Sequence, residues 1–138
     1  MNTLLSLEGI EKDSFCIKNE CELTEFKIPS FVTSINQIYF QNISSLTKIT
    51  IPESVTHICE RCFEGCKLLT EAIFPQTIKT IGNCTFNRCT SLKIFKIPES
   101  VESIGDHCFM NCSALKEIII PDSVKKIGDR CFSNGKNF

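Results

Sequence analysis

The five prolines of this chain are spaced 23 residues apart, at Pro29, Pro52, Pro75, Pro98 and Pro121. A constant interval of this length indicates that one small structural unit repeats along the chain. Such a unit is too short to bury an apolar face alone, so successive units must stack on one another. The interval therefore predicts a solenoid before any other feature is considered.

Apolar side chains recur at five positions of the repeat when the residue before each proline is taken as position 1. Positions 1, 5, 8, 13 and 19 are apolar in every complete coil, so we expect them to face one shared interior. Position 8 is always isoleucine and position 13 is always phenylalanine. These two sets are Ile35, Ile58, Ile81, Ile104 and Ile127, and Phe40, Phe63, Phe86, Phe109 and Phe132.

Each repeat carries signals for two extended segments and one compact turn. Residues 46–51 and 115–120 follow the pattern L-x-x-I-x-I, whose β-branched residues favour a strand that the next proline ends. A Ser-Val-x-x-Ile-Gly stretch at 100–105 and 123–128 predicts a second short strand, and its glycine predicts positive φ or close backbone approach. The part from position 10 to position 16, such as 106–112, predicts one or two helical turns with the phenylalanine pointing inward.

Stacking of such coils predicts an α/β, β-rich solenoid with a parallel strand ladder, short second strands and short helical turns. Equivalent strands run in the same direction and lie about 4.8 Å apart, so five to six coils extend roughly 25–30 Å. Residues 23–138 form this solenoid of about five coils, of which the last is incomplete. We interpret residues 1–22 as a degenerate coil or an N-terminal cap within the same single domain.

The repeated motifs resemble a known family. The L-x-x-I-x-I strand, the Ile-Pro step, the Ser-Val-x-x-Ile-Gly segment and the Cys-Phe-x-x-Cys turn are similar to those of BspA-like leucine-rich repeats, which occur in bacterial surface proteins and large protist families. The resemblance covers about residues 23–138, although the first coil lacks the glycine and the Cys-Phe-x-x-Cys turn. It implies a right-handed leucine-rich repeat superhelix used for protein binding or adhesion.

Composition excludes several classes of partner and location. The formal net charge of −1 and the absence of a basic patch argue against nucleic acid binding. No stretch approaches the ~20 apolar residues of a transmembrane helix, and the first residues lack the basic region of a secretory signal. We therefore expect a cytoplasmic location by default, with cell-surface association, as in the family's relatives, as the alternative.

Most of the ten cysteines share the phase of the repeat. Cys62, Cys108 and Cys131 occupy position 12, and Cys66, Cys89 and Cys112 occupy position 16. The favoured interpretation is that they are small buried hydrophobes. Disulfides between successive position-16 cysteines are the alternative, since stacked Cα atoms would lie roughly 5 Å apart, but a reducing cytosol disfavours them.

A zinc site is a further alternative for the cysteine-rich part. The ligand types and spacings of His57, Cys59, Cys62 and Cys66 are typical of a zinc site. A second, less complete set consists of His107, Cys108 and Cys112. The repeat already accounts for Cys62 and Cys66, so a zinc-binding domain is the less favoured function. We predict no metal and no cofactor.

The sequence offers no persuasive catalytic site. A hydrolytic or transfer enzyme needs a base, a nucleophile and an oxyanion donor that converge in a pocket. The two histidines, His57 and His107, lie two coils apart at different positions of the repeat. The glycines follow the coil period and do not form a phosphate-binding loop. We therefore predict a protein that is not an enzyme.

Two kinds of interaction remain. The first is a protein-binding or adhesion-type module with an unidentified protein partner, which uses outward residues of the L-x-x-I-x-I strands, among which Ile73, Ile94 and Ile119 suggest an apolar patch. The second is a self-associating structural unit, such as a homodimer, joined through Phe132 and Phe138 of the uncapped last coil. The predicted partner-binding residues are Glu25, Lys27, Lys48, Thr50, Glu71, Ile73, Ile94, Lys96, Glu117 and Ile119.

Overall fold

The computed structural model describes residues 24–35 and 40–135. Every coil in this part contributes a three-residue strand before its proline and a two-residue strand after it. The long strands are β1 (Glu25–Lys27), β3 (Lys48–Thr50), β5 (Glu71–Ile73), β7 (Ile94–Lys96) and β9 (Glu117–Ile119). The short strands are β2 (Ser34–Ile35), β4 (His57–Ile58), β6 (Thr80–Ile81), β8 (Ser103–Ile104) and β10 (Lys126–Ile127).

All strand pairs are parallel and keep the register of the repeat. Phe26 of β1 pairs with Ile49 of β3, and Phe95 of β7 pairs with Ile118 of β9, an offset of 23 residues in both cases. Long strands pair in the orders β1-β3-β5 and β7-β9, and short strands pair as β2-β4 and β6-β8-β10. The predicted parallel ladder of a β-rich solenoid is confirmed. Within the described residues, no ladder joins β5 to β7 or β4 to β6.

The core is a stack of phenylalanine rings surrounded by aliphatic side chains. The rings at position 13, from Phe40 to Phe132, have centroids 5.4 to 5.6 Å apart and become nearly parallel toward the C-terminal end. Phe63 and Phe86 are fully buried, and isoleucines of position 8 such as Ile58 are 1% exposed. The predicted shared interior is therefore present, and the rings of Phe63, Phe86 and Phe109 are buried by the coils on both sides of them.

After each short strand, the coil continues through turns to the next long strand, and these turns form its third side. The predicted short helical turns are wrong. No helix occurs in the described part of the chain. The N–H of Glu64 bonds the carbonyl of Arg61 three residues back, but the N–H groups of Arg61, Phe63 and Gly65 donate to the following coil at 2.8 to 3.0 Å. An α-helix would bond every one of these N–H groups to its own segment, whereas here alternate groups hold the neighbouring coil.

Backbone angles explain why these turns cannot become helices. Positions 11 and 15 have positive φ in successive coils, for example Arg61 at 59° and Asn111 at 61°. Left-handed residues interrupt a right-handed helix, and asparagine or glycine tolerates this region best. Position 15 fits that preference, since it holds Asn42, Gly65, Asn111 and Asn134, with Arg88 as the exception.

A column of polar side chains ties the turns together. The carboxylate of Glu64, which is only 9% exposed, accepts hydrogen bonds from Gln41 Nε2 at 2.9 Å and from Asn87 Nδ2 at 2.8 Å. Asn111 donates to Asn87, and Asn134 donates to Asn111, one coil after another. The buried carboxylate is therefore satisfied by the adjoining coils together with Arg61 of its own coil, whose guanidinium lies 3.2 Å from Glu64 Oε2.

The glycine that ends the short strand is required by close approach. Gly105 lies so near the preceding coil that a Cβ atom there would be 2.5 Å from the Asn83 nitrogen and 2.7 Å from the Gly82 carbonyl carbon. At Gly82 the nearest atom would be the Glu60 nitrogen at 3.2 Å, which leaves more room. Of the two predicted reasons for this glycine, close approach is correct and positive φ is not, because Gly82, Gly105 and Gly128 all lack positive φ.

We expect Gly105→Ala to destabilise the protein much more than Gly82→Ala. The added methyl group at residue 105 collides with backbone, so the coils must separate, and overpacking of this kind costs about 1–3 kcal/mol. Gly82→Ala should cost less than half as much because its neighbour has to move only slightly. Urea unfolding followed by circular dichroism measures both variants, and equal losses would contradict the close-approach explanation.

Candidate functional site

The outer strand face is formed by the two outward positions of every long strand. The middle residue of each long strand points into the core, as in Phe26, Ile49 and Phe95, so the residues on either side of it point outward. Each of the ten predicted partner-binding residues lies on this face and is exposed or half-exposed. One row consists of Glu25, Lys48, Glu71, Ile94 and Glu117, and the other of Lys27, Thr50, Ile73, Lys96 and Ile119.

The outer strand face carries one ion pair between neighbouring coils. Lys48 Nζ lies 3.4 Å from Glu71 Oε2 on the adjacent strand, and both side chains are more than one-third exposed. An exposed pair of this kind contributes about 0–1 kcal/mol, so it does little for stability. Its main effect is to neutralise Glu71, which leaves that part of the face without a net negative charge.

The three exposed isoleucines do not form one continuous patch. Ile73 is 42% exposed, and Ile94 and Ile119 are each 65% exposed. Lys96 occupies the same row as Ile73 and Ile119 and lies between them in the stack, and it pairs directly with Ile119. Ile73 and Ile94 line one groove, which Ile119 does not reach. The groove therefore contains two of the three isoleucines of the apolar patch predicted from sequence.

This groove lies between β5 and β7, where no ladder joins the long strands. Its floor is formed by Ala72 and Phe74, and Ile73 and Ile94 stand beside it. The rings of Phe74 and Phe95 meet edge to face, with centroids 5.3 Å apart, at positions that hold isoleucine in several other coils. The groove therefore combines an unpaired strand edge with two packed rings and with Ala72, the small middle residue of β5.

Lysines border the groove. Lys93 and Lys96 both line it, and both are exposed. Among the residues that the structure describes, neither lysine takes part in an ion pair. Sequence reasoning identified Lys96 but missed Lys93 and the floor residue Phe74. The available signal was Phe74, where every other coil has isoleucine, and Ala72, where the other coils have isoleucine or phenylalanine.

The cysteines at position 16 form a ladder of thiol hydrogen bonds in the core. The Sγ atoms of Cys66, Cys89 and Cys112 donate to phenylalanine carbonyl oxygens of the preceding coil, at 3.0 to 3.1 Å. A small apolar side chain with a weak donor fits this place well, which supports the packing interpretation. No disulfide joins the eight described cysteines, and Cys16 and Cys21 lie outside the described residues.

Burial makes these thiols poor nucleophiles. Desolvation raises the pKa of Cys66 and that of Cys112 to about 12, and it raises the pKa of Cys89 well above the ordinary 9.0. At position 12, burial likewise raises the pKa of Cys108, whose hydrogen bond to Cys131 lowers the pKa of Cys131. Cys131 is only 3% exposed, so a substrate has no access to it.

The residues of the zinc alternative do not converge. His57 is the outward residue of β4, while Cys62 and Cys66 are buried in the interior. Within residues 24–35 and 40–135, no group of three or more potential ligands is placed to hold a metal ion. His107 lies in a turn of another coil with a φ of 55°. The two histidines and the cysteines therefore do not share a site.

The last described coil has an exposed apolar edge. Ile120 and Ile127 are 40% and 43% exposed, whereas the equivalent Ile97 and Ile104 of the preceding coil are each 1% exposed. Phe132 is half-buried and stacks on Phe109 with centroids 5.6 Å apart. Phe138, the other predicted self-association residue, lies outside the described residues.

The family model for BspA type leucine-rich repeat regions matches residues 8–138 with six copies of its repeat. The chain belongs to the BspA-type leucine-rich repeat family. This assignment agrees with the resemblance carried by the repeated motifs, and it makes the chain a member of a family of repeat scaffolds. Comparison with curated protein sequences found no match.

Solved structures of bacterial leucine-rich repeat proteins share the fold. A leucine-rich cell surface protein from Faecalibacterium prausnitzii is 34% identical with a TM-score of 0.80, and the alignment covers 83% of this chain and 31% of that protein. The T. pallidum leucine-rich repeat protein is 29% identical with a TM-score of 0.76, covering 79% and 53%. The pneumococcal vaccine antigen PcpA is 25% identical with a TM-score of 0.68, covering 81% and 32%.

The chain thus spans about a third to a half of the length of these proteins. None of them supports the cytoplasmic location expected from the sequence, and one is a cell surface protein. In the described part of the chain, no helix is long and apolar enough to cross a membrane.

We expect the stability of the protein to fall as the pH rises from 9 toward 12. Folding raises the pKa of Cys66, Cys89 and Cys112, so the unfolded chain loses these protons first and is favoured at alkaline pH. Each such thiol lowers the free energy of unfolding by up to about 1.4 kcal/mol per pH unit. Denaturant titrations at several pH values measure this slope, and it should be smaller when all three cysteines are replaced by serine. An unchanged slope in that variant would show that these three thiols do not cause the loss of stability at alkaline pH.

Proposed function

We propose that this chain is a protein-binding module of the adhesion type that acts through its outer strand face and carries out no catalysis. The observation that supports this most is the pair of parallel rows of exposed side chains, which include Ile73, Ile94 and Ile119 with 42% to 65% exposure. Exposed aliphatic residues on a regular face are typical of interaction surfaces.

The rigidity of the face favours recognition of another protein. Its side chains stand on strands that are held by parallel pairing and by buried middle residues such as Ile49 and Phe95. A surface that is ordered before binding loses little conformational entropy when a partner docks. Five strands at a spacing of about 4.8 Å give a face of about 20 Å, which suits an extended segment or one side of a small domain.

The similar proteins favour a location at the cell surface. The relative from Faecalibacterium prausnitzii is described as a cell surface protein, and PcpA is described as a vaccine antigen. We therefore place this chain at or on the cell surface, in place of the cytoplasm. A surface location and an extended recognition face agree with a role in adhesion.

Site-specific photo-crosslinking tests the binding role. A benzophenone amino acid at Thr50 or Lys96 on the outer strand face should form crosslinks to one protein when the purified chain is mixed with the surface fraction of candidate partner cells. The same group at Lys67 or Lys125, which are exposed away from this face, should not. Crosslinks formed only from Lys67 or Lys125 would show that the outer strand face is the wrong surface.

A second candidate function is self-association through the last coil. The exposure of Ile120 and Ile127, at 40% and 43%, favours it, because their counterparts in other coils are buried. The free edges of β9 and β10 also present unpaired strand groups on one side, and such edges readily pair with another chain. A second copy would cover both the apolar side chains and the strand edges.

We expect light scattering across a range of protein concentrations to detect a dimer if this second function holds. The Ile120→Lys and Ile127→Lys double variant should then be a monomer, because burial of two lysines at the interface is unfavourable. Ile119→Lys is the matched control, since Ile119 points to the outer strand face and should leave the dimer intact. A wild-type chain that is monomeric at every concentration would exclude self-association.

A further inference from the structure

We propose that the groove between β5 and β7 binds an extended peptide segment of the partner in which aliphatic side chains are flanked by carboxylates. This inference rests on the proposed protein-binding function and names the chemistry of the partner at the same face. Four observations carry it: the open ladder, the apolar floor, the two exposed isoleucines and the two unpaired lysines.

The open ladder gives the groove its shape. Elsewhere on the outer face, neighbouring long strands are joined by hydrogen bonds, but β5 and β7 are not. Ala72, which forms part of the floor, is the smallest residue at its position in the described coils. Phe74, which is 7% exposed, closes the floor from below, and its ring is held against Phe86 and Phe95 with centroids 5.5 and 5.3 Å away. The depression is therefore shallow and has a fixed apolar base.

A shallow apolar base selects a side chain that lies flat on it. Ile73 and Ile94 stand on the two strands beside the floor, with 42% and 65% of their surface exposed. An aliphatic side chain placed between them would remove apolar surface from water on three sides, on the floor and on both walls. A charged or strongly polar side chain lying on the floor would lose hydration there, because the side chains of Ala72 and Phe74 offer it no hydrogen bond.

The charges around the groove select the flanking residues. Glu71 is paired with Lys48 at 3.4 Å, so it does not neutralise the lysines on the opposite strand. Lys93 and Lys96 border the groove on the β7 side and take part in no ion pair among the described residues. The border is therefore net positive, although the whole chain carries a formal charge of −1. Complementary carboxylates on the partner would orient it and accelerate its association.

Nucleic acid is a poorer match for this groove than an acidic peptide. Two lysines neutralise few phosphates, and the floor of the groove beside them is apolar. An acidic peptide with aliphatic residues uses both features, whereas a phosphate backbone uses only one. Binding of a DNA duplex equal to that of the acidic peptide would contradict the proposal.

A nuclear magnetic resonance titration of the ¹⁵N-labelled chain tests the proposal with defined peptides. The probe is a capped hexapeptide with a central Leu-Val pair and two acidic residues on each side. We expect saturable shifts at amides of residues 70–76 and 93–96, with affinity that falls as the salt concentration rises, since the ionic contacts are exposed. Equal binding of a hexapeptide with basic flanks, of one with a central Gly-Ser pair, or of a short DNA duplex would overturn the proposal.

Variants with matched controls test the positive charge and the apolar side chains of the groove separately. Lys93→Glu with Lys96→Glu should weaken binding of the acidic peptide by about tenfold or more, because two attractions become repulsions. Lys67→Glu with Lys125→Glu makes the same change of charge away from the groove and should have little effect. Ile94→Thr keeps a β-branched residue on the strand and should weaken binding, while Ile119→Thr should not. Equal effects of the variant and its control would overturn the proposal.

The groove and the binding function can fail separately. If Thr50 and Lys96 still form crosslinks to a partner protein while the acidic peptide does not bind, the chain is a binding module and the groove proposal is wrong. If the peptide binds as expected and the partner crosslinks from Thr50 are lost in the Lys93→Glu and Lys96→Glu variant, both proposals are supported. Absence of both crosslinks and peptide shifts would reject both.

Discussion

Hydrogen bonds between stacked coils are the interaction on which the rest of this structure depends. They run along the long strands, along the short strands and through the turns, where Phe63, Phe86 and Phe109 each donate an N–H to the following coil. A buried N–H without a partner would cost about 1–3 kcal/mol. Because all coils have equal length, the three sides remain in register together, and the same stacking brings the phenylalanine rings to one spacing. An insertion of a single residue inside a coil would shift the hydrogen-bond register on at least one of these sides.

The same constraint determines which residues are free to differ between coils. Ile58, Ile81 and Ile104 are identical because each must fill the same space between two neighbours. On the outer strand face no such space has to be filled, and Thr50, Ile73 and Lys96 follow one another in a single row. Chemical variety in this protein is therefore concentrated on surfaces that the stacking leaves exposed, and for this reason we look for recognition there and not in the core.

The repeat in the sequence was sufficient to predict the parallel coils, the inward isoleucines and phenylalanines, and the ten outward strand residues. It was not sufficient for the turns. Arg61 and Cys84 adopt positive φ although neither residue type favours it, so only the contacts with the next coil reveal that backbone. The groove also required the structure, because the missing ladder between β5 and β7 and the edge-to-face contact of Phe74 with Phe95 involve different coils. In the sequence alone, Phe74 and Phe95 are two further apolar residues, and nothing indicates that their rings are in contact.

The groove shows how a regular solenoid can acquire a specific site. A perfect array presents the same surface at each coil, so a partner would bind in several registers and none would be preferred. Phe74 and Phe95, together with the small Ala72, lie where β5 and β7 form no ladder, and neither do β4 and β6 of the same coils, while the pairs β3-β5 and β7-β9 are intact. The interior has the stability to tolerate this local opening because the phenylalanine column at position 13 remains continuous across it, with Phe63, Phe86 and Phe109 stacked. One irregularity then defines where along the face a segment with the right side chains docks, and the neighbouring Lys93 and Lys96 define which flanking charges it must carry.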